Sequence, residues 1–359
     1  MRAILTLTVL LAAAFAGCTG SEPGPTPDDL EVEYEVPEVP GVDAGALLAD
    51  LQLFSGTFSQ RADNLPDHEG ARDWLADRFA AAGLDVWRQE FESGIAQENI
   101  VGVHWGEVKD EWVVVGAHYD MVTTDCAAQC VTRAYSEGAY DDGSGTLMTV
   151  HLAEAFANVS TYYTIAFVAF DGEERGLRGS GAFVEGVSVD QDHPFTDEAG
   201  DPLQVTFRGM VDLDMIGLNW PGVDAPVYFD HNSPEMKAYI EGRVAELGMP
   251  AEMIKYQGIS LGRSDYAHFM DKGVPTGFFI SDFEEWQLPA DLPVTVPCQS
   301  PMPECTAYPF WHLEDTWDTM VLMAGSEEDL RAGFQTAVDL AGGLVHFLSA
   351  DPETTLTVA

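Results

Sequence analysis

Positive charge is what this sequence has least of. Only 16 Lys and Arg stand against 60 Asp and Glu, for a formal net charge of −44 at pH 7 over 359 residues. A main role in binding nucleic acid is excluded, because phosphate contacts need clustered Lys and Arg. Polybasic docking on anionic lipid is excluded by the same shortage. The acidity reads as a solvation device, for solubility or for life in salt, ahead of an attraction for cationic substrates. With 46% hydrophobic and 11% aromatic residues, the chain can still bury a sizeable core.

Long apolar runs are nearly absent too. One follows Arg2, from Ala3 to Ala16. It is too short to span a bilayer comfortably and ends in small residues, so it reads as a secretory signal over residues 1–17. Phe15-Ala16-Gly17-Cys18 resembles a bacterial lipobox, with Phe15 where Leu is usual. Cys18 would then become the lipidated first residue of the mature chain, its only attachment to a membrane. Ordinary cleavage after Ala14-Phe15-Ala16 is the alternative, giving a periplasmic or secreted protein. Thr19 in place of the retention signal Asp implies sorting to the outer membrane, if the cell is Gram-negative.

Cysteine is sparse. Besides Cys18 there are Cys126, Cys130, Cys298 and Cys305. An even count in an exported chain suggests two disulfides, most simply Cys126–Cys130 and Cys298–Cys305, though crossed pairing is open. The paired C-x2-C spacing of structural zinc sites is missing.

Internal repeats are lacking. Residues 18–45 form an acidic tether with Pro at 23, 25, 27, 37 and 40, and 46–359 read as a single domain. Helical spacing runs through Asp67–Ala82, Gly145–Asn158, Pro234–Leu247 and Glu327–Leu348. Strand patterns occupy Val86–Phe91, Trp112–Ala117, Tyr162–Phe170, Met210–Met215 and Pro275–Ile280. This alternation predicts an α/β fold, a mixed and largely parallel central sheet flanked by helices. Residues 284–310, with six prolines, read as a long loop on the rim of the site.

Ligands of such sheets sit at the carboxyl ends of the strands. His118-Tyr119-Asp120 follows one predicted strand, and Asp171-Gly172-Glu173-Glu174 another. Asp212 and Asp214 lie in and after a third, Asp141-Asp142-Gly143-Ser144-Gly145 opens a helix, and Trp311-His312-Leu313-Glu314-Asp315 precedes the last one. Any single acid in so acidic a chain is ordinarily a solvated surface charge. These differ because each abuts an apolar strand or a Gly-rich turn. His, Asp and Glu together suit zinc, and two such ions can clamp a water and a carbonyl. Asp120 is placed to orient the His118 ring.

In this order the motifs resemble the M28 family of zinc aminopeptidases. Gly262-Arg263-Ser264-Asp265-Tyr266-Ala267-His268-Phe269 and Gly273-Val274-Pro275 add to the likeness, which covers roughly residues 46–350. The resemblance implies a zinc exopeptidase fold acting on peptides, with two Zn2+ per chain. It makes Asp141 the bridging ligand, with His118 and Asp214 completing one site and Glu174 and His312 the other. Glu173 would be the general base. Asp142 falls on the variable position after the bridge, and Asp212 has no assigned role. Arg263 and Tyr266 are candidate substrate contacts, Tyr266 standing where many members have His. Trp311 stands where some members carry a Tyr that holds the oxyanion. The Trp-His pair also resembles glutaminyl cyclases of the same fold, which use one zinc. A non-catalytic binding domain on this fold is the reading from another class.

Overall fold

The computed structural model describes residues 36–358, apart from 63–64, 93, 122–135, 189–194, 198, 219–226, 259–263 and 282–314. The signal and lipid site at Cys18, all four further cysteines (Cys126, Cys130, Cys298, Cys305), and Arg263, Trp311 and His312 lie outside the described residues. In chain order the elements are α1 (Ala44–Thr57), α2 (Pro66–Ala81), β1 (Asp85–Glu92), β2 (Ala96–His104), β3 (Val108–His118), α3 (Gly143–Phe156), β4 (Tyr163–Phe170) and α4 (Arg178–Ser188). Then come β5 (Thr206–Leu213), β6 (Val227–His231), α5 (Pro234–Glu246), β7 (Ile254–Gly258), α6 (Tyr266–Asp271), β8 (Thr276–Ser281), α7 (Trp317–Ala324) and α8 (Glu327–Ala350). Among the described residues no helix is long and apolar enough to cross a membrane.

The strands form one sheet in the order β1-β2-β4-β3-β5-β8-β6-β7. Its centre, β4-β3-β5-β8, is parallel, while β1 and β2 pair antiparallel with each other and β2 antiparallel with β4. The alternation along β3 sorts its side chains into two layers. Val113, Val115 and Ala117 join the larger core, which includes residues of α1, α2, α3 and α8. Trp112 and Val114 join the smaller one, which includes residues of α4 and α6. Every residue of β4 is buried. Each Val or Phe there contributes roughly 1.5–3 kcal/mol by leaving water.

Two differences from the sequence reading have physical causes. Strand β2 carries no apolar run at its start, because Gln97, Glu98 and Asn99 are polar and nonetheless buried. Distant groups satisfy them: Glu98 pairs with Arg72 at 2.8 Å, and Asn99 donates to the Gly179 carbonyl at 2.8 Å. The compact unit also begins at Val36, inside the expected tether. Asp43 caps α1 by accepting from Gly45 N, and His346 donates to the Pro37 carbonyl at 2.7 Å.

Helix α3 starts hard against the end of β5. A Cβ on Gly145 would lie 2.0 Å from the Leu213 carbonyl oxygen and 2.6 Å from Asp142 Oδ2. Neither neighbour moves cheaply, one being backbone and the other a helix cap. Gly145→Ala is therefore expected to destabilise by about 1–3 kcal/mol. Thermal denaturation checks this, and an unchanged midpoint would mean that α3 can slide off the strand.

Candidate metal centre

The parallel centre of the sheet brings three strand ends to one crevice. β3 ends at His118, β4 ends just before Asp171-Gly172-Glu173-Glu174, and β5 ends just before Asp214. The turn into α3 adds Asp141 and Asp142, joined by a cis peptide bond. His118 Nε2 lies 3.1 Å from Asp141 Oδ1 and 3.8 Å from Asp214 Oδ1. Its Nδ1 donates to the Asp120 carbonyl at 3.1 Å. That bond fixes the ring and turns the Nε2 edge toward the two carboxylates.

Asp120 does more than orient the imidazole. Its Oδ1 accepts from Glu173 N at 3.1 Å and its Oδ2 from Glu174 N at 3.3 Å. One carboxylate thus ties the acidic dipeptide to the end of β3. His118, Glu173 and Glu174 each place a ligand atom within 4.8 Å of the others. Asp142 falls within the same distance of His118 and Asp214, but its Oδ1 already serves three donors. Those are Gly145 N at 2.8 Å, Met215 N at 3.2 Å and the Ser144 hydroxyl at 3.2 Å. Through Oδ1 Asp142 therefore caps α3 and latches it to the turn after Asp214, while its Oδ2 has no hydrogen-bond partner among the described residues and Asp141 Oδ1 faces the imidazole. The described non-glycine residues with positive φ flank these acids: Leu177 at +57° follows Glu173-Glu174, and Met215 at +50° follows Asp214. Such strain, on the order of 1–3 kcal/mol each, persists where the surroundings over-determine it and clusters at functional sites.

The electrostatics call for a cation. His118, Asp141, Asp142 and Asp214 are buried, and Glu173 and Glu174 are half-buried. Burial disfavours charge on His118, yet the neighbouring carboxylates of Asp120, Asp141 and Asp214 outweigh it and raise its pKa well above the usual imidazole range. Burial, aided by Asp214, pushes the Asp142 carboxyl well up. Burial likewise raises Glu173, with Asp214, Asp265 and Glu174 adding to the effect against His118. These raised values mark a place that attracts positive charge. Asp214 Oδ1 accepts no hydrogen bond among the described residues. Clustering such carboxylates without a counter-ion is costly. A set of imidazole and carboxylate donors that converges in this way fits a divalent ion such as zinc.

The structure thus brings together His118, Asp120, Asp141, Glu173, Glu174 and Asp214. It does not bring Tyr266 to the crevice wall. That ring is fully buried in the smaller core, 4.9 Å from the Phe278 ring, because the first turn of α6 packs down onto the sheet. Asp212 explains this placement: buried on β5, its Oδ2 accepts from Tyr266 N at 2.9 Å and so anchors α6. Asp315 was visible in the sequence only as one more acid after His312. Its Oδ1 accepts from Tyr140 N at 2.7 Å and its Oδ2 from Asp141 N at 2.8 Å. No local pattern signals that bond, which spans 174 residues.

Leupeptin-inactivating enzyme 1 of Streptomyces exfoliatus is 27% identical over 274 residues, 75% of this chain and 53% of that protein. Aminopeptidase YwaD of Bacillus subtilis is 29% identical over 188 residues, 51% of this chain and 35% of that protein. The matched stretch is thus about half, or less, of these curated relatives' length. Among solved structures, the aminopeptidase from Aneurinibacillus sp. strain AM-1 superposes with a TM-score of 0.60 at 14% identity, over 88% of this chain and 96% of that one. A glutaminyl cyclase from Fimbriiglobus ruber does so with a TM-score of 0.60 at 18% identity, over 88% and 97%. At these identities the two likenesses show the fold alone. Residues 99–321, from β2 into α7, match Peptidase family M28, and the chain belongs to that family.

Proposed function

We propose that this chain is a zinc-dependent exopeptidase that removes N-terminal residues from peptides. The observation that carries the reading is the convergence of His118 Nε2 on Asp141 Oδ1 and Asp214 Oδ1 beside a Glu173-Glu174 pair whose backbone Asp120 holds. In this reading Asp141, His118 and Asp214 would hold one ion, and Asp141, Glu174 and His312 would hold the other. Bound zinc would polarise the scissile carbonyl and ease ionisation of the attacking water. Glu173 takes the proton from that water and returns it to the leaving amine. Its burial suits proton transfer near neutral pH, once positive charge nearby offsets the upward push of desolvation. Asp120 accepts from His118 Nδ1, which leaves Nε2 as the nitrogen available to a metal, and holds the base in register with it. The names of the curated relatives, an aminopeptidase among them, support a peptide substrate. We further place the protein outside the cytoplasm, anchored through Cys18, on the strength of the short apolar run before it.

Metal content and two assays on the chain lacking residues 1–18 test the reading. About two zinc ions per chain, with release of free amino acids from amino-acyl amides, is the expected result. One zinc with ring closure of N-terminal Gln peptides would replace it with a cyclase, whose fold this chain shares and whose Trp-His pair Trp311-His312 resembles. A chain that binds no metal would leave a binding domain.

A further inference from the structure

Arg61 is one of 16 basic residues, and it is fully buried. Its guanidinium lies over the Phe54 ring, 4.9 Å from the centroid. All its hydrogen bonds among the described residues go to backbone carbonyls. Nε donates to Tyr119 at 2.8 Å, Nη1 to Phe58 at 3.1 Å and to Glu137 at 2.7 Å, and Nη2 to Gly138 at 2.7 Å. Tyr119 directly follows His118, and Glu137-Gly138 lead into Asp141. One planar group with donors in a fixed fork therefore spans the two chain segments that present His118 and Asp141 to each other.

Asp315 grips the same loop. Its carboxylate takes the amides of Tyr140 and Asp141, and its own carbonyl accepts from Glu137 N at 2.6 Å. Along Glu137–Asp141 the leading carbonyls go to Arg61 and the trailing amides to Asp315. Gly138 makes this possible, with φ +57° and a site where a Cβ would come within 2.7 Å of Arg61 Nη2. A loop that merely needed its polar groups satisfied could use water at the surface. This one uses two buried polar side chains, a guanidinium and a carboxyl, from distant parts of the chain, which disfavours any movement of the segment.

We propose that Arg61 and Asp315 are a pair of positioning residues that hold the Asp141 carboxylate opposite His118 before any metal binds. The inference rests on the zinc reading above and adds residues that touch neither metal nor substrate. Its test is metal affinity rather than turnover. The full chain would carry Asp315→Asn or Arg61→Lys, with Leu344→Ala, in the core of α8, as a destabilised control. Asn keeps one acceptor but sets an NH2 against the second backbone amide. Lys keeps the charge, but one nitrogen cannot span four carbonyls. Zinc affinity is read by competition with a chromogenic chelator, well below the melting range, with near-ultraviolet circular dichroism confirming the fold. Both variants are expected to bind zinc about 10–100-fold more weakly, and Leu344→Ala as tightly as the parent, although all three melt earlier. Either folded variant suffices for the reading. Affinity within twofold of the parent would show that the pair only stabilises the loop, and would overturn the inference while leaving the zinc reading intact. A parent that binds no zinc would overturn both.

Discussion

Glu173→Gln is expected to lower kcat by about 10²–10⁴-fold with KM changed little. The substitution keeps side-chain shape and removes the one group assigned to carry the proton. The bond from Glu173 N to Asp120 is made by the backbone, so the dipeptide stays in register. Zinc content should hold, since the base is not a ligand in this reading. The neighbouring residue supplies the contrast: Glu174→Gln should lose metal as well as activity. Steady-state kinetics with metal analysis on both variants separates two adjacent acids that composition cannot tell apart. Retention of kcat within threefold in Glu173→Gln would remove it from proton transfer. Loss of metal in that variant would make it a ligand.

Removing the metal should cost more stability at high pH than at low pH. In the metal-free chain His118, Asp142 and Glu173 all have pKa values raised above their ordinary ones. A raised folded-state pKa means that the folded form prefers the proton. The stability this provides is complete below the ordinary pKa, about 4 for the carboxyls and about 6.5 for the imidazole. It is lost as pH rises through the folded-state values. A bound cation takes the place of those protons, so zinc affinity climbs with pH. At free zinc a thousandfold above Kd the gain is about 4 kcal/mol, worth on the order of 10 °C in Tm. Melting curves at pH 5 and pH 8, with chelator and with zinc, measure the difference. An equal zinc-dependent shift at both pH values, or a larger one at pH 5, would mean that this proton-loaded cluster is not where zinc binds.

How legible the site was depended on the range of the interactions involved. His118, Asp141, Glu173, Glu174 and Asp214 stood out because each ends an apolar strand or opens a Gly-rich turn, and both signals are local. Parallel strands carry such ends to one edge of the sheet, so chain order alone sufficed to group them. In sequence, an aromatic next to a predicted pocket motif, such as Tyr266, looks the same whether it lines a wall or fills a core. The anchoring of α6 by Asp212, 54 residues away, decided for the core. Strand β2 was hidden for the opposite reason: its buried polar residues read as surface until Arg72 and Gly179 are seen to satisfy them.

By itself, then, the sequence determined the α/β alternation, the apolar strands that had to be buried, and the identity of most acids gathered around one histidine. Periodicity and strand-end position encode those within windows of about ten residues. Only the tertiary structure decided that Asp120 holds the backbone of Glu173-Glu174, that Asp142 is a latch while Asp141 faces the imidazole, and that Arg61 and Asp315 grip the loop between them. The bonds that do this join a buried side chain and a backbone group more than fifty residues apart. Such bonds have no periodicity to leave in the chain. Burial makes them necessary, because a polar group taken out of water needs a partner, and the fold alone settles which partner it finds.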